Sequence, residues 1–589
     1  MSATSDWFLR PGRRGSDEVR IDILWLLGLG LALIATGIGL RDPWPADEPR
    51  FALIARDMVA TGQWLIPQVG GDLYADKPPL FFWLVGLFVV ATGSLRVAFL
   101  LPGLLAGLGA VLLIYDLGRR LWSRDVGFAA GLALLATLQF VWQMRQGQID
   151  ATLCFLTTLG IYGLLRHLLL GPSWGWYCIG WAAAGLGIIT KGVGFLPILL
   201  LIPYALARAA GWIQAPTKAG RWKWALGPLA MAGAVSLWLA PMLIAASGSA
   251  ELARYRDEIL FGQTIDRYAD AWHHTKPFWY FLVSVIPALW LPLVALIPWL
   301  WRDWRASWTA RDLRVWAPLA WVVLILLFFS LSSGKRGVYI LPAVPAFVLA
   351  CAPFLPALAQ RRGPRNTVFA IACGIVVVTF VAALWVLFDA ERRQDLIDAY
   401  DVDVVGPLFA ISGVGALVCT LARPARGFAA YGGLLLASLL IVSFWINPPI
   451  DASRSGARFI RNVERLAMNS KELGFVAYRE QYLLHLQRSI VNFGHARWRE
   501  HNQEAYDAAA WLAAKPHRML LVDRRVRESC FQMAAAQDAG QANREQWFLV
   551  SGSADAGCAA QGNLGAARTY TPPDAGVRGG SPRARNSPG

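Results

Sequence analysis

Long apolar runs separated by short polar segments make up most of this chain of 589 residues. A transmembrane helix needs roughly 20 mostly apolar residues, because each residue rises about 1.5 Å along the helix axis. About thirteen runs are candidates. They lie near residues 21–40, 96–117, 126–145, 151–169, 176–190, 193–210, 224–246, 278–300, 316–333, 338–358, 367–388, 404–421 and 428–446. The pattern predicts a polytopic α-helical membrane protein.

A further apolar run at 79–93 is shorter than a typical span, which favours a helix lying in the membrane plane. If it does not cross, the basic clusters between the other runs all fall on the side of the basic N-terminal segment 1–20, as the positive-inside rule expects. We therefore predict a cytoplasmic N-terminus. The loops 41–95 and 247–277, and the chain from 447 onward, should lie outside.

The apolar runs define a predicted membrane domain at 21–446, and the composition changes after it. Short alternating stretches at 474–478 and 518–522 are typical of strands. Helical stretches accompany them at 454–471 and 504–514. We predict a small α/β domain over 447–571, followed by a disordered tail over 572–589 that is rich in Gly, Pro, Ser and Arg.

Composition narrows the class of protein. Hydrophobic residues make up 56% and charged residues 16%, whereas soluble chains carry about 25% charged residues. This excludes disorder, a disulfide scaffold and an ordinary soluble enzyme. The net charge of +16 could suggest nucleic acid, but many basic residues lie between apolar runs and serve as topology signals, so we expect no nucleic-acid partner.

Cys530 and Cys558 could pair in an oxidising compartment or remain thiols.

The first outer loop places Asp47 directly before an amphipathic helix. One apolar face of that helix contains Phe51, Ile54, Ala55, Met58 and Val59. Gly62 suits the end of the helix. Two roles remain open for Asp47: an N-cap of the helix, or a carboxylate of an active site.

The segment Asp76-Lys77-Pro78-Pro79 begins the second in-plane helix, because two prolines suit a helix start. Lys77 could extend toward lipid headgroups or neutralise a phosphate. Asp150 lies where an outward helix turns back, so it is either a solvated turn residue or a functional acid. Lys191 interrupts an apolar stretch at the outer end of its helix.

Further cations occur in the long outer loop, which includes Arg267, and in the turn 332–339. Cations from several loops would suit an anionic lipid phosphate. His273 and His274 are adjacent, and only an irregular loop lets adjacent side chains bind one metal ion. A hydrogen-bonded pair or a pH-sensitive contact are the alternatives.

At these residues the chain resembles the GT-C glycosyltransferases and, more narrowly, the aminoarabinose lipid A transferase family. The resemblance covers about 20–350. The residues that carry it are Asp47-Glu48-Pro49-Arg50, Asp76-Lys77-Pro78-Pro79, Asp150, Lys191, His273-His274, Ser333-Gly334-Lys335 and Tyr339-Ile340-Leu341-Pro342. It implies thirteen membrane helices, two juxtamembrane helices and a periplasmic C-terminal domain.

The resemblance also implies roles for individual residues. The catalytic residues would be Asp47 and Asp150. The residues binding the donor phosphate would be Arg50, Lys77 and Lys191. The residues lining the same cavity would be Glu48, Arg267, Lys335 and Tyr339. A structural zinc would be bound by Asp76, His273 and His274, and here Asp76 stands where the family pattern has Glu.

The implied activity is an inverting transfer of an aminoarabinose-type sugar from undecaprenyl phosphate to a lipid A phosphate, on the periplasmic face of a bacterial inner membrane. We expect no organic cofactor and a monomer among inner-membrane lipids. Two alternatives stay open. The chain could be a GT-C transferase that uses another lipid-linked sugar and a protein or glycan acceptor, or it could be a transporter or flippase of a lipid-linked sugar.

Overall fold

The computed structural model describes residues 16–213, 221–266, 275–495, 502–524, 530–531, 536–543, 545–552 and 554–573. Within this part of the chain, eight helices are long and apolar enough to cross a membrane. They are Leu95–Leu121, Ile149–Leu169, Gly192–Ala209, Trp222–Ser247, Leu313–Leu331, Arg362–Phe388, Val405–Ala422 and Pro424–Leu466. The prediction of a helical, multi-pass membrane protein is confirmed.

The other predicted runs also form helices, but shorter or bent ones. The shorter ones are Ser16–Gly30, Trp174–Ile188 and Ala343–Leu358. Two runs predicted as single spans are bent pairs, which would raise the number of candidate spans to 10. These pairs are Arg124–Ala136 with Leu138–Met144, bent by 68°, and Phe281–Leu289 with Leu293–Thr309, bent by 100°.

The two breaks face each other. Pro292 has no backbone N–H to continue its helix. The Leu138 amide donates across to the Leu291 carbonyl at 3.4 Å. Beside the breaks, the Trp290 indole donates to the buried Gln139 amide oxygen at 2.6 Å. Tertiary contacts therefore satisfy polar groups that an unbroken helix would have satisfied internally.

The predicted loop 41–95 contains two helices that are too short to cross a membrane. We name Glu48–Thr61 the first short helix and Leu80–Thr92 the second short helix. The first ends at Gly62 with φ +73°, a left-handed conformation that favours glycine. Phe51 of the first helix packs against Phe81 and Phe82 of the second, with ring centroids 5.7 and 5.6 Å apart. This apolar seam holds the two helices together.

A mixed sheet forms the C-terminal part of the chain. Its strands are β3 Glu472–Phe475, β4 Ile490–Asn492, β5 Arg518–Asp523, β6 Gln537–Ala542, β7 Glu545–Ser551 and β8 Arg568–Tyr570. They stand in the order β6-β7-β5-β3-β4-β8, and β3 is parallel to both β4 and β5. The strands β1 Gln68–Val69 and β2 Asp72–Leu73 form a separate hairpin between the two short helices.

Helices pack beside the sheet, including Ala457–Leu466 and Gln503–Ala513, near the stretches predicted to be helical. The predicted strands near 474–478 and 518–522 correspond to β3 and β5. Cys530 and Cys558 form a disulfide, so the paired alternative holds. The predicted disordered tail lies almost wholly outside the described residues.

Candidate active site

Asp47 occupies the N-cap position of the first short helix, but its side chain does not cap it. Its backbone is already helical, at φ −104° and ψ −29°, whereas a capping residue normally adopts an extended conformation that brings its oxygen over the first amides. The carboxylate instead accepts a hydrogen bond from Arg336 at 2.9 Å. The N-cap alternative for this side chain is therefore wrong.

A second ion pair joins Asp150 and Lys191. Asp150 lies in the first turn of helix Ile149–Leu169, and Lys191 directly precedes the 3-10 helix Gly192–Leu200. The Lys191 ammonium lies 2.5 Å from the Asp150 carboxylate and 4.8 Å from the centre of the Tyr339 ring. The Asp150 side chain is 13% exposed, so it is a paired, partly buried acid and not a solvated turn residue.

Arg336 connects the two pairs. Burial lowers the pKa of its guanidinium, but Asp47, Asp150 and Tyr339 lie close enough that the net effect raises the pKa. We call Asp47, Asp150, Lys191, Arg336 and Tyr339 the carboxylate–cation cluster. The Arg336 side chain is still 38% exposed, so an incoming anion can reach the cluster.

The turn that carries Arg336 is anchored on both sides. Gln139, beside the bent-helix break, donates to the Gly337 carbonyl at 2.8 Å. Gly334 forms a β-bridge with Thr275. Lys335 points inward, where its ammonium donates to the carbonyls of Lys276, at 3.0 Å, and of Ser332.

Lys335 is thus buried and structural, because a buried ammonium must satisfy its donors. The prediction that it lines the cavity is wrong. Its neighbour Arg336 is the cation of this adjacent pair that faces the Asp47 carboxylate. Nothing local distinguishes the two residues, since both belong to the same turn.

Glu48 was also predicted to line the cavity, and it does not. Its side chain is 3% exposed and pairs with Arg41 through two hydrogen bonds. The same carboxylate accepts from the Trp44 amide at 2.9 Å and from the Gly147 amide at 2.8 Å. Glu48 therefore ties the outer loop to the segment that carries Asp150.

Arg50, predicted to bind the donor phosphate, contacts the C-terminal part of the chain. Its Nε donates to Glu480 at 2.7 Å, and His495 lies 3.0 Å from the same carboxylate oxygen. Burial opposes ionisation of Glu480, but His495 and Arg50 outweigh it and lower the pKa of the carboxyl to about 2. The sequence showed no sign of this contact, because the partners are 430 positions apart.

Tyr74 links this contact to the rest of the site. Its ring lies 5.9 Å from the Arg50 guanidinium carbon. Burial and then the nearby Asp76 raise the pKa of the phenol, and Asp47 adds to the effect. Lys77 is half-buried at the start of the second short helix, and its ammonium donates to the Asp76 carbonyl at 2.8 Å.

The predicted zinc ligands cannot be assembled from the described residues. His273, His274 and Arg267 lie outside the described residues, and within them no group of three or more His, Cys, Asp or Glu side chains could hold a metal ion. Thr275 and Lys276, which follow the histidines, contact the turn that carries Arg336. The zinc site stays a prediction.

Comparison with known proteins finds similar sequences. A family model described as dolichyl-phosphate-mannose-protein mannosyltransferase matches residues 76–239. Undecaprenyl phosphate-alpha-4-amino-4-deoxy-L-arabinose arabinosyl transferase 2 of Sodalis glossinidius (strain morsitans) is 30% identical over 380 residues, covering 61% of this chain and 65% of the relative. The arabinosyl transferase of Yersinia pestis (strain Pestoides F) is 26% identical over 71% of this chain and 75% of its own.

Among solved structures, ArnT from Cupriavidus metallidurans bound to undecaprenyl phosphate superposes with a TM-score of 0.69. It is 21% identical and covers 91% of this chain and 98% of its own. The chain resembles the aminoarabinose transferases. The predicted helical fold and the predicted resemblance are confirmed.

Proposed function

We propose that this chain transfers an aminoarabinose-type sugar from undecaprenyl phosphate to a phosphate of lipid A, with inversion at the anomeric carbon. The observation that carries the proposal is the carboxylate–cation cluster, in which Arg336 pairs with Asp47, lies near Asp150 and remains accessible. The named relatives support the carrier and the sugar, since they are arabinosyl transferases that use an undecaprenyl-phosphate-linked aminoarabinose.

The cations of the cluster suit the donor phosphate. Arg336 and Lys191 each pair with a carboxylate. A phosphate that binds beside them could replace one of these carboxylates as the partner of the cation. Lys77 would add a third cation, and Arg50 would act from the position that Glu480 gives it. As the sugar–oxygen bond breaks, these cations would stabilise the charge that grows on the leaving phosphate.

Asp47 is the acid best placed to act on the acceptor or the sugar. Once a donor phosphate engages Arg336, the Asp47 carboxylate loses its partner and can orient or deprotonate an acceptor group. A lipid A phosphate is already largely ionised at neutral pH, so orientation suffices for that acceptor. Asp150 stays beside Lys191 and would keep that ammonium oriented.

We further propose that the cluster faces the periplasm, with the N-terminus in the cytoplasm and thirteen helices crossing a bacterial inner membrane. The Cys530–Cys558 disulfide supports this orientation, because disulfides persist in oxidising compartments. Labelling single cysteines in intact cells with a membrane-impermeant thiol reagent tests it. Labelling of a cysteine in the 389–403 loop, but not of one in 359–362, is the expected result, and the reverse pattern would overturn the orientation.

A structural zinc bound by Asp76, His273 and His274 is part of the same proposal. The oxygen and nitrogen donors suit zinc, and Thr275 directly after the histidines is anchored beside Gly334. Metal analysis of the purified protein should show stoichiometric zinc that falls in Asp76→Ala. A protein free of zinc and equally stable after treatment with a chelator would overturn this part.

A protein acceptor is the second candidate, because the matching family model is described as a protein mannosyltransferase. Mass spectrometry of lipid A from cells with and without the gene separates the two candidates. An aminopentose increment on a lipid A phosphate supports the proposal. Unchanged lipid A together with a glycosylated protein would favour the second candidate.

The role of Asp47 is tested by Asp47→Asn in the purified protein. Because the side chain makes no cap hydrogen bond, the variant should fold, while loss of the carboxylate should lower transfer by about 10²–10⁴-fold. Asp395→Asn, which changes an exposed acid, is the matched control and should keep full activity. An active Asp47→Asn protein would remove Asp47 from the mechanism.

A further inference from the structure

A cavity lies close to the carboxylate–cation cluster but is lined by none of its residues. Three arginines line it: Arg41, Arg145 and Arg454. Trp44 and Trp142 are its aromatic residues. Aliphatic side chains such as Leu439 line the remainder. The lining therefore combines cationic and aromatic side chains with an apolar wall of aliphatic ones.

The charge of this cavity is not balanced by its own lining. Arg41 is paired with Glu48, but within the described ranges Arg145 and Arg454 have no carboxylate partner. Arg145 donates to the carbonyls of Leu33 and Thr36 and to the hydroxyl of Ser443, which hold the guanidinium without neutralising it.

The nearest acids are occupied elsewhere. Asp42 and Asp451 both bind the guanidinium of Arg96, which does not line the cavity. Asp451 also accepts from the Trp44 indole at 2.9 Å, and this bond fixes the ring at the cavity wall. Arg454 lies over the same ring at 5.3 Å and is itself exposed. Arg454 donates a long hydrogen bond to the Pro45 carbonyl, at 3.4 Å.

The position of the cavity identifies the chemistry of its ligand. It lies where the first membrane helix, the bent helix ending at Met144 and the last membrane helix all end. Arginine prefers phosphate through paired hydrogen bonds, and tryptophan belongs to the interface between lipid tails and water. An apolar wall beside that pair suits an acyl chain.

We propose that this cavity binds the phosphate of an anionic lipid, with the headgroup between Arg145 and Arg454 and an acyl chain along the apolar wall. The site is distinct from the donor-phosphate site at Lys191 and Arg336. The lipid is either a resident phospholipid or the acceptor itself, since both present the same phosphate chemistry. Binding can be measured without turnover, so this proposal can fail while the proposed function stands, and the reverse also holds.

Native mass spectrometry of the full chain tests the proposal with phosphatidylglycerol, phosphatidic acid and phosphatidylcholine as probes. We expect the two anionic lipids to be retained about tenfold more tightly than phosphatidylcholine. Arg454→Gln should abolish most of that preference without loss of folding, because Arg454 is exposed and makes one weak contact. Arg461→Gln, an exposed arginine on the following helix, is the matched control and should change nothing.

Equal retention of neutral and anionic lipids, or an Arg454→Gln protein that binds like the parent, would overturn the proposal. So would binding of inorganic phosphate alone with the same affinity, because it would make the apolar wall irrelevant. A rise in KM for lipid A in Arg454→Gln, at unchanged KM for the donor, would identify the acceptor as the lipid. Unchanged kinetics with weakened retention of phosphatidylglycerol would identify a resident phospholipid.

Discussion

Arg336→Gln removes the cation that pairs with Asp47 near Asp150 while keeping a side chain of similar length. The bond from Arg336 to Asp47 is 2.9 Å long, and a charge-assisted hydrogen bond of this kind contributes about 1.5–3 kcal/mol when protected from water. Because the Arg336 side chain is 38% exposed, solvent screening reduces this to about 1–2 kcal/mol. Loss of Asp47 positioning alone would therefore lower kcat/KM by about 5- to 30-fold.

A larger loss is expected if Arg336 also contacts the leaving phosphate. Removing one donor that stabilises transition-state charge costs about 10²–10³-fold. The assay is the initial rate of sugar transfer by purified protein at several donor concentrations. A loss above about 100-fold in kcat indicates contact with the reacting phosphate, and a loss of about 5- to 30-fold indicates positioning of Asp47 alone.

Two further variants make the result interpretable. Arg336→Lys keeps the charge but not the planar fork, so it should recover part of the lost rate. Arg254→Gln makes the same change at an exposed guanidinium of the long outer loop and should leave the rate unchanged. An Arg336→Gln enzyme within twofold of the parent would refute the assignment of Arg336 to the site.

Three more predictions concern stability. Glu48→Gln breaks the ion pair with Arg41, in which the two side chains are only 6% (Arg41) and 3% (Glu48) exposed. It should lower the free energy of unfolding by about 3–5 kcal/mol, measured as a lower melting temperature in detergent. An unchanged melting curve would contradict the anchoring role of Glu48. Glu480, whose pKa falls from 4.5 to about 2 on folding, should contribute about 3 kcal/mol at neutral pH. Because the pKa of Glu480 is lowered on folding, that contribution is fully present above about pH 4.5 and is lost as pH falls toward 2. The stability of Glu480→Gln should therefore fall less than that of the parent over this pH range. An acid-unfolding profile identical to that of the parent would count against this role of Glu480. Cys558→Ser opens a loop of 28 positions to Cys530 and should cost about 2–4 kcal/mol, and a reductant should lower the parent melting temperature but not that of the variant.

The contact between Arg50 and Glu480 gives the C-terminal sheet a position in the site. The buried guanidinium of Arg56 supports it from the other face of the first short helix, where it donates to the carbonyls of Leu483 and Leu484 and to the Tyr570 hydroxyl. The first short helix is therefore held at two places by the C-terminal part of the chain. A helix of 14 residues has little stability alone, so these contacts keep its N-terminal Asp47 in place.

Local sequence pattern predicted much of this arrangement. Both short helices, the left-handed glycine at 62 and strand β5 near 518–522 follow from periodicity and turn chemistry. The two bent helices did not, because an apolar run has the same composition whether it is straight or broken. Only the facing contact from Leu138 to Leu291 supplies the missing backbone partner that makes the breaks stable.

Candidate residues divide in the same way. Asp47, Asp150 and Lys191 stood out in the sequence because each is a charged residue at the start or end of a predicted helix, on the predicted outer side. Which cation each acid meets was not readable, since Arg336 and Lys335 are adjacent and equally polar. The turn conformation turns one inward and the other toward the carboxylates.

By itself the sequence determined the membrane class, the helical pattern and the loops that hold the chemistry, because these depend on hydrophobicity and local spacing along the chain. Tertiary structure alone decided which charges meet. The partners of Asp47 and Arg50 lie 289 and 430 positions away, and no local pattern encodes contacts over such separations. They exist because the bent helices and the C-terminal sheet bring distant loops to one place, where burial makes each charge require a partner.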